Sequence, residues 1–267
     1  MPELPEIETL VRDLRRTVVG KTVVEAHAGQ PKALNVPLLE FRERVRGVIA
    51  GVDRHGKSAV LRLPEGSLWL HLGLGGTVQF LPAAPWPAAK FLSLRLAEGG
   101  QLAVDKVFMG HAYFVPAGRR PPGEELGIDA LDPALTARRF AELLRRKPKA
   151  AIKAALMDQA LLAGVGNTYA DEILLKAGIH PARRAGTLTD EEIAVLHSAL
   201  GVVLQWAIAE GGEAGWHDLE GRPGHYQPTI HGAERCGRCG RPVETIAIGG
   251  RTGYFCPACQ PVGAGQG

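Results

Sequence analysis

All four cysteines of this chain fall within its last 32 residues, in the stretch CGRCGRPVETIAIGGRTGYFCPAC that runs from Cys236 to Cys259. The spacing is C-x2-C, sixteen residues, C-x2-C. Two close thiolate pairs that fold onto one another make a tetrahedral metal site, and the Gly-Arg-Cys and Pro-Ala-Cys knuckles supply the tight turns that point the sulfurs inward. Two disulfides are the alternative, and they need an oxidising compartment for which the chain carries no signal. The reading is one structural Zn2+ held by Cys236, Cys239, Cys256 and Cys259. Between the pairs, GGRTGYFCPAC reads as a hairpin with Arg251 near the Gly249-Gly250 tip. An arginine on a tip held rigid by zinc is placed to clamp a phosphate, although a solvated turn arginine has the same sequence appearance.

Upstream of this element the texture changes twice. From about residue 18 to 115, short apolar runs are broken by Gly and Pro. KSAVLRLPEGSLWLHLGLGG and FLSLRLAEGGQLAVD each read as two strands around a turn. Ahead of them, PEIETLVRDLRRTVVG places Ile7, Leu10, Val11 and Leu14 on one helical face, with Gly20 as the stop. PAGRRPPGEELG, with three prolines and three glycines in its segment, is a linker by composition. Beyond it the period shifts to about 3.6. Asp132-Pro133 reads as an N-cap and first-turn pair for Phe140, Leu143 and Leu144. Pro148 opens a helix carrying Ile152, Leu156 and Leu162. Gly164 and Gly166 interrupt the pattern, Thr168 restarts it, and Gly178 and Pro181 stop it. Thr189 and Glu192 form a capping box for a long helix that turns Ile193, Leu196, Leu200, Val203 and Ala207 inward.

The expected fold is α+β and multidomain: an N-terminal helix plus β-sandwich domain (1–115), a linker (116–130), a helical domain (131–230), a zinc β-hairpin (231–261) and a disordered tail (262–267). Composition agrees with a globular chain, being 45% hydrophobic and 22% charged. The net charge of +3 permits a polyanionic partner without requiring one, since a mixed solvated surface gives similar totals. No run approaches the ~18 uninterrupted apolar residues of a membrane span, and the N-terminus lacks the charged-then-apolar layout of a secretion signal. A cytoplasmic protein with no membrane partner is the expectation.

The chemistry-bearing residues start at MPELPEIETL. Removal of Met1 leaves Pro2 with a free secondary amine, and an α-amino group titrates near pH ~8, so part of it is an uncharged nucleophile at neutral pH. A processed terminus with a rigid lead-in to a helix accounts for the same residues. AGVGNTYADE puts Asn167 before a helix whose N–H groups attract an anion, and an ordinary helical hairpin with C-cap glycines has equal claim. In DRHGKSAVL, Lys57 follows Gly56 at a strand start, where a lysine is commonly just a soluble end. HLGLGG offers His71 and an apolar Leu74 that is either core or a wedge for a base stack.

PELPEIET, HGK with Lys57, HLGLGG, GVGNTYADEILLKAGIHP and GGRTGYFCPACQ occur in the order and spacing of the formamidopyrimidine-DNA glycosylase family, which includes the endonuclease VIII enzymes. The chain resembles its bacterial branch from Pro2 to Gln260 and is closer to the formamidopyrimidine type. The resemblance implies a helix-two-turn-helix DNA-binding domain and a bifunctional DNA glycosylase/AP lyase that removes oxidised or ring-opened bases. In that family the N-terminal proline forms a Schiff base at C1′, and β- then δ-elimination follows. By similarity Pro2 is the nucleophile, Glu3 the proton donor, and Glu6 the residue that holds the helix and nucleophile. Lys57, His71, Asn167 and Arg251 would grip phosphates. The implied partner is damaged double-stranded DNA, bound by a monomer on the bacterial nucleoid.

Two stretches depart from the family pattern. Where 8-oxoguanine-type members carry an Arg-Phe pair in a loop, this chain has DKVFMG, with Phe108 and Met109 at the tip. An apolar tip can fill the gap left by an everted base but cannot hydrogen-bond an orphaned cytosine. Where the family usually has Tyr-Gly-Arg, this chain reads TIHGAERC, with His231 and Ala233. The preceding EAGWHDLEGRPGHYQP brings Trp216, His217 and Tyr226, an aromatic set suited to stacking on an everted base. Two alternatives therefore stand: a lyase or glycosylase for other lesions such as oxidised pyrimidines, with weak 8-oxoguanine activity, and a non-catalytic binder of damaged DNA.

Overall fold

The computed structural model describes residues 1–121 and 125–262. Residues 122–124 of the expected linker and 263–267 of the expected tail lie outside the described residues. The chain forms two compact units. One comprises Met1–Glu124 and Gly211–His225; the other comprises Glu125–Glu210 and Tyr226–Gly267. The sequence-derived boundary at 230 groups 211–225 with the helices, whereas this segment packs in the first unit.

The first unit opens with helix α1 (Leu4–Val18). Its start is fixed by a reciprocal capping box: the Glu3 side chain accepts from the backbone of Glu6, and the Glu6 side chain accepts from the backbone of Glu3. Pro5 occupies the first turn, where its missing N–H costs nothing. Ile7, Leu10, Val11 and Leu14 are fully buried, as their i, i+3, i+4, i+7 spacing requires. After β1 (Thr22–Ala28), α2 (Leu38–Arg44) and β2 (Gly47–Val48) come β3 (Gly51–His55), β4 (Ser58–Leu63), β5 (Gly66–His71), β6 (Thr77–Leu81), β7 (Leu92–Leu96), β8 (Gln101–Asp105) and β9 (His111–Pro116).

These strands make two antiparallel sheets, one ordered β2-β1-β7-β8-β6 and one ordered β3-β4-β5-β9. In the second sheet, Ala59, Leu70 and Ala112 align across three strands, and Leu61, Leu68 and Phe114 form the next row. All six are fully buried in one core with Leu94, Leu102 and Val104 of the first sheet and the apolar face of α1. Each buried Leu or Phe contributes about 1.5–3 kcal/mol relative to exposure. The opposite row of the second sheet carries His71, His111 and Tyr113 at its edge, with ring centroids 5.2 and 3.9 Å apart.

The second unit contains β10 (Ile128–Asp129), α3 (Ala137–Arg145), α4 (Ile152–Met157), β11 (Leu162–Ala163), α5 (Asn167–Ala177), α6 (Asp190–Ala209), β12 (Glu244–Ile248) and β13 (Arg251–Phe255). Two local expectations need correction. Asp132 does not cap α3; it closes a turn by accepting from Ala134 N–H at 2.8 Å, and Thr136 is the N-cap, accepting from Arg139 N–H. The helix expected from Pro148 is shorter: it begins at Ile152 and ends at Met157, and Leu162 pairs with Ile128 in a parallel two-strand ladder. That ladder lies partly within the span read as linker. The Thr189–Glu192 capping box is present at α6. Among the described helices α6 is the one long and apolar enough to match a membrane span by length and composition. It owes that character to the core it serves, burying Ile193, Leu196, Leu200, Val203, Leu204 and Ala207.

Candidate active site

The capping box that starts α1 also builds the pocket at its N-terminus. Glu3 N–H donates to Glu6 Oε2 at 2.8 Å, and Glu213 N–H donates to Glu6 Oε1 at 3.0 Å. Glu3 and Glu6 are each only 3% exposed. One carboxylate therefore grips the chain start with one oxygen and the returning 211–225 segment with the other. The cavity beside it has a volume of about 220 Å³ and is lined by Met1, Pro2, Glu6, Gly76, Trp216 and His217, among others. Gly212 approaches closely here; a Cβ at that position would meet the Trp216 ring at 3.1 Å and the Glu6 side chain at 3.2 Å. Trp216 Nε1 is buried with no hydrogen-bond partner. Of the aromatic set read from the sequence, Trp216 and His217 reach this pocket. Tyr226 does not: it is 1% exposed in the second unit, its ring against Tyr169 and Trp206.

Lys57 and His71 are absent from that lining, but the sheet brings them near each other. Lys57 follows the β3–β4 turn at Gly56 (φ +55°), and its neighbour Ser58 pairs directly with His71. His71 Nδ1 accepts from Gly73 N–H at 3.3 Å, which places the ring proton of the neutral imidazole on Nε2. Leu74 and Phe108 form an isolated antiparallel bridge, with Leu74 N–H to Phe108 O at 2.7 Å and Phe108 N–H to Leu74 O at 3.2 Å. Gly73 makes the approach possible: it has φ +54°, and a Cβ there would lie 2.1 Å from the Phe108 carbonyl. The joined loops present Leu74, Phe108 and Met109 at 41, 65 and 77% exposure, three apolar side chains kept in water. Nothing in the local sequence signals this bridge.

In the second unit, Asn167 opens α5 and its Nδ2 donates to the Thr252 carbonyl at 3.0 Å, 85 residues away. The hairpin strand that carries Arg251 is thereby tied to the start of α5 one residue further on. Arg251 is exposed at the first position of β13, beyond a two-residue tip in which Gly249 and Gly250 both take positive φ. The α5 N-terminus and the exposed Arg251 on the hairpin tied to it are each suited to an anion. Sequence reasoning missed the group beneath this pair. Lys153 and Asp171 are both fully buried, with Nζ to Oδ1 at 2.6 Å. A lysine on the same helical turns as Ile152 and Leu156 was the available signal, because a buried ammonium requires a partner.

The four cysteine Sγ atoms all lie within 4.8 Å of one another, with Cys236–Cys259 at 4.0 Å and Cys239–Cys256 at 3.5 Å. A tetrahedron with Zn–S bonds of about 2.3 Å has edges of about 3.8 Å, so the set fits one zinc. The Arg241 backbone N–H draws the Cys239 thiol down to about 7, toward the thiolate form that zinc binds. The Cys259 thiol, hydrogen-bonded to Cys239, is pushed up to about 12 and ionises only as it ligates the metal. The zinc is structural: four protein sulfurs close its coordination.

Comparison with known proteins gives the family. Residues 1–107 match the formamidopyrimidine-DNA glycosylase N-terminal domain, residues 126–216 the formamidopyrimidine-DNA glycosylase H2TH domain, and residues 233–262 a zinc finger found in FPG and IleRS. The formamidopyrimidine-DNA glycosylase of Symbiobacterium thermophilum is 37% identical over 99% of this chain and 91% of its own length. That of Geobacter sulfurreducens is 37% identical over 97% of this chain and 100% of its own. The Lactococcus lactis Fpg in complex with DNA containing an abasic site superposes with a TM-score of 0.88 at 30% identity, covering 97% of this chain and 100% of that one. The chain belongs to the formamidopyrimidine-DNA glycosylase family, whose members are DNA glycosylases with AP lyase activity.

Proposed function

We propose that Pro2, freed by removal of Met1, is the nucleophile of a bifunctional glycosylase/AP lyase in this chain. The observation that carries this reading is the placement of Pro2 and Glu6 in one pocket at the start of a buried helix. The Pro2 nitrogen bonds to C1′ as the glycosidic bond breaks and its electron pair leaves with the base. The nitrogen then sheds its proton to the Glu3 carboxylate, Glu3 passes a proton to the ring oxygen, the C1′–O4′ bond opens, and an iminium remains on the nitrogen. The iminium acidifies the 2′ hydrogen; its loss expels the 3′ phosphate, and a second elimination expels the 5′ phosphate. Glu6 acts by position, since its two oxygens fix the Glu3 and Glu213 backbones. Lys57, His71, Asn167 and Arg251 contact phosphates of the bound DNA.

The substrate is double-stranded DNA carrying an oxidised, ring-opened or absent base. The exposed Leu74, Phe108 and Met109 fill the gap left by the everted nucleotide by apolar contact, which favours weak selectivity for the opposite base and an activity that extends beyond 8-oxoguanine to other lesions. The functional division is a catalytic sandwich at 1–115 completed by the 211–225 segment, a helix-two-turn-helix domain within 131–210 and a zinc finger at 231–261, working as a monomer on the bacterial nucleoid. Borohydride trapping on duplexes holding an abasic site, 8-oxoguanine, formamidopyrimidine or an oxidised pyrimidine, each opposite all four bases, tests the scheme. A covalent adduct is expected with the processed protein and is lost in Pro2→Gly or when Met1 is retained. An adduct at full yield in either case would remove Pro2 from the chemistry. Tight binding with no adduct on any duplex would leave a non-catalytic reader of damage.

A further inference from the structure

We infer that His231 is a positioning residue for DNA binding, acting through a buried carboxylate that holds the zinc hairpin against the start of α5. The inference rests on the reading of Asn167 and Arg251 as phosphate contacts. The Thr252 carbonyl, one peptide beyond Arg251, is held from two sides: Asn167 Nδ2 donates to it at 3.0 Å and Lys153 Nζ at 3.3 Å. Lys153 is itself placed by Asp171, whose Oδ1 lies 2.6 Å from Nζ. Asp171 Oδ2 lies 2.8 Å from His231 Nδ1. A carboxylate only accepts, so Nδ1 carries the hydrogen and donates. The ring is steered there by its backbone, since His231 N–H donates to Glu172 Oε1 at 3.0 Å, and it stands edge-on to Tyr254 of β13 at 4.9 Å.

The chain of contacts therefore runs from His231 to Asp171, to Lys153, to the carbonyl beside Arg251. Asp171 has no exposure, and water cannot replace a lost donor there without opening the unit. With the His231 N–H removed, Oδ2 competes for the Lys153 ammonium, Nζ is drawn away from Thr252, and one of the two holds on the hairpin backbone weakens. His231 touches neither the reacting atoms nor, on this reading, the DNA. Its effect falls on affinity and not on the chemical step.

The experiment uses full-length zinc-loaded protein and two duplexes, one with a non-cleavable tetrahydrofuran abasic analogue for Kd and one with a natural abasic site for single-turnover cleavage at saturating enzyme. His231→Phe keeps a ring against Tyr254 and lacks the donor; His231→Asn restores an N–H near Nδ1. In His231→Phe the Kd is expected to rise roughly ten-fold with the saturated cleavage rate unchanged, and His231→Asn is expected to recover the affinity. Zinc content and the thermal midpoint report folding of each variant. Unchanged affinity in His231→Phe, beside weakened binding in Arg251→Ala, would overturn the inference. So would a loss that His231→Asn fails to rescue, which is what a packing role gives. If Arg251→Ala binds as tightly as the parent, the phosphate-clamp reading itself fails.

Discussion

The two units secure their functional residues by different means. In the first, the N-terminal pocket is organised by one carboxylate, Glu6, that binds two backbone N–H groups at the end of a helix already buried in a continuous apolar core. In the second, Asn167 and Arg251 are joined across a fully buried ion pair and a hairpin that a metal closes. In the first unit the buried charge, Glu6, supports Pro2 from outside the proposed nucleophile, so Pro2 is open to substitution without uncovering it. In the second, the buried ion pair and the metal-binding thiols are themselves the supports, and removing one leaves an uncompensated group in a low-dielectric interior.

The largest effect that divides the units is loss of zinc. Chelation, or Cys256→Ala, is expected to unfold the hairpin and remove most lesion-specific DNA affinity, since structural zinc supplies folding free energy of order 10 kcal/mol in small zinc modules. Circular dichroism and DNA titration before and after metal readdition check this. By contrast, the Pro2→Gly protein is expected to keep its thermal midpoint while losing the covalent adduct; if both fall together, the separation fails. Next in size, Lys153→Met leaves Asp171 buried without its cation and is expected to cost about 3–5 kcal/mol of unfolding free energy. Denaturant unfolding measures it, and a cost below about 1 kcal/mol would mean that burial of Asp171 does not depend on the Lys153 ammonium.

The smallest effect is a pH dependence in the second unit. His180 has its pKa lowered from 6.5, chiefly by burial, against an opposing pull from Glu244. Its Nδ1 accepts from Ala182 N–H at 3.2 Å and its ring packs on Phe255, both consistent with a neutral imidazole. The folded state resists a proton that the unfolded chain takes up, so stability is full above 6.5 and declines as pH falls below it. His180→Asn is expected to flatten that slope as pH falls below 6.5, measured with zinc in excess. An identical slope in the variant would place the titrating group elsewhere.

Much of this was legible in one dimension. The strands of the sandwich, helix α1, the capping box of α6 and the thiolate cluster follow from periods and spacings a few residues long. The misreadings share a cause. Asp132-Pro133 and Thr136 are both acceptable cap signals, and only the packing of Phe140, Leu143 and Leu144 selects where α3 begins. Tyr226 was grouped with Trp216 by adjacency in sequence, yet the chain crosses from one unit to the other just before it.

The sequence by itself determined the four-cysteine metal site, the placement of Glu3 and Glu6 directly after Pro2 and Pro5, and the apolar tip without an arginine, because each depends on residue type within a short span. Tertiary structure alone decided that Glu213 reaches Glu6, that Leu74 meets Phe108, and that His231, Asp171, Lys153 and Thr252 form one connected group. Those contacts join residues far apart in the chain. No local propensity encodes them; they exist because buried donors and acceptors must find partners once the cores have closed.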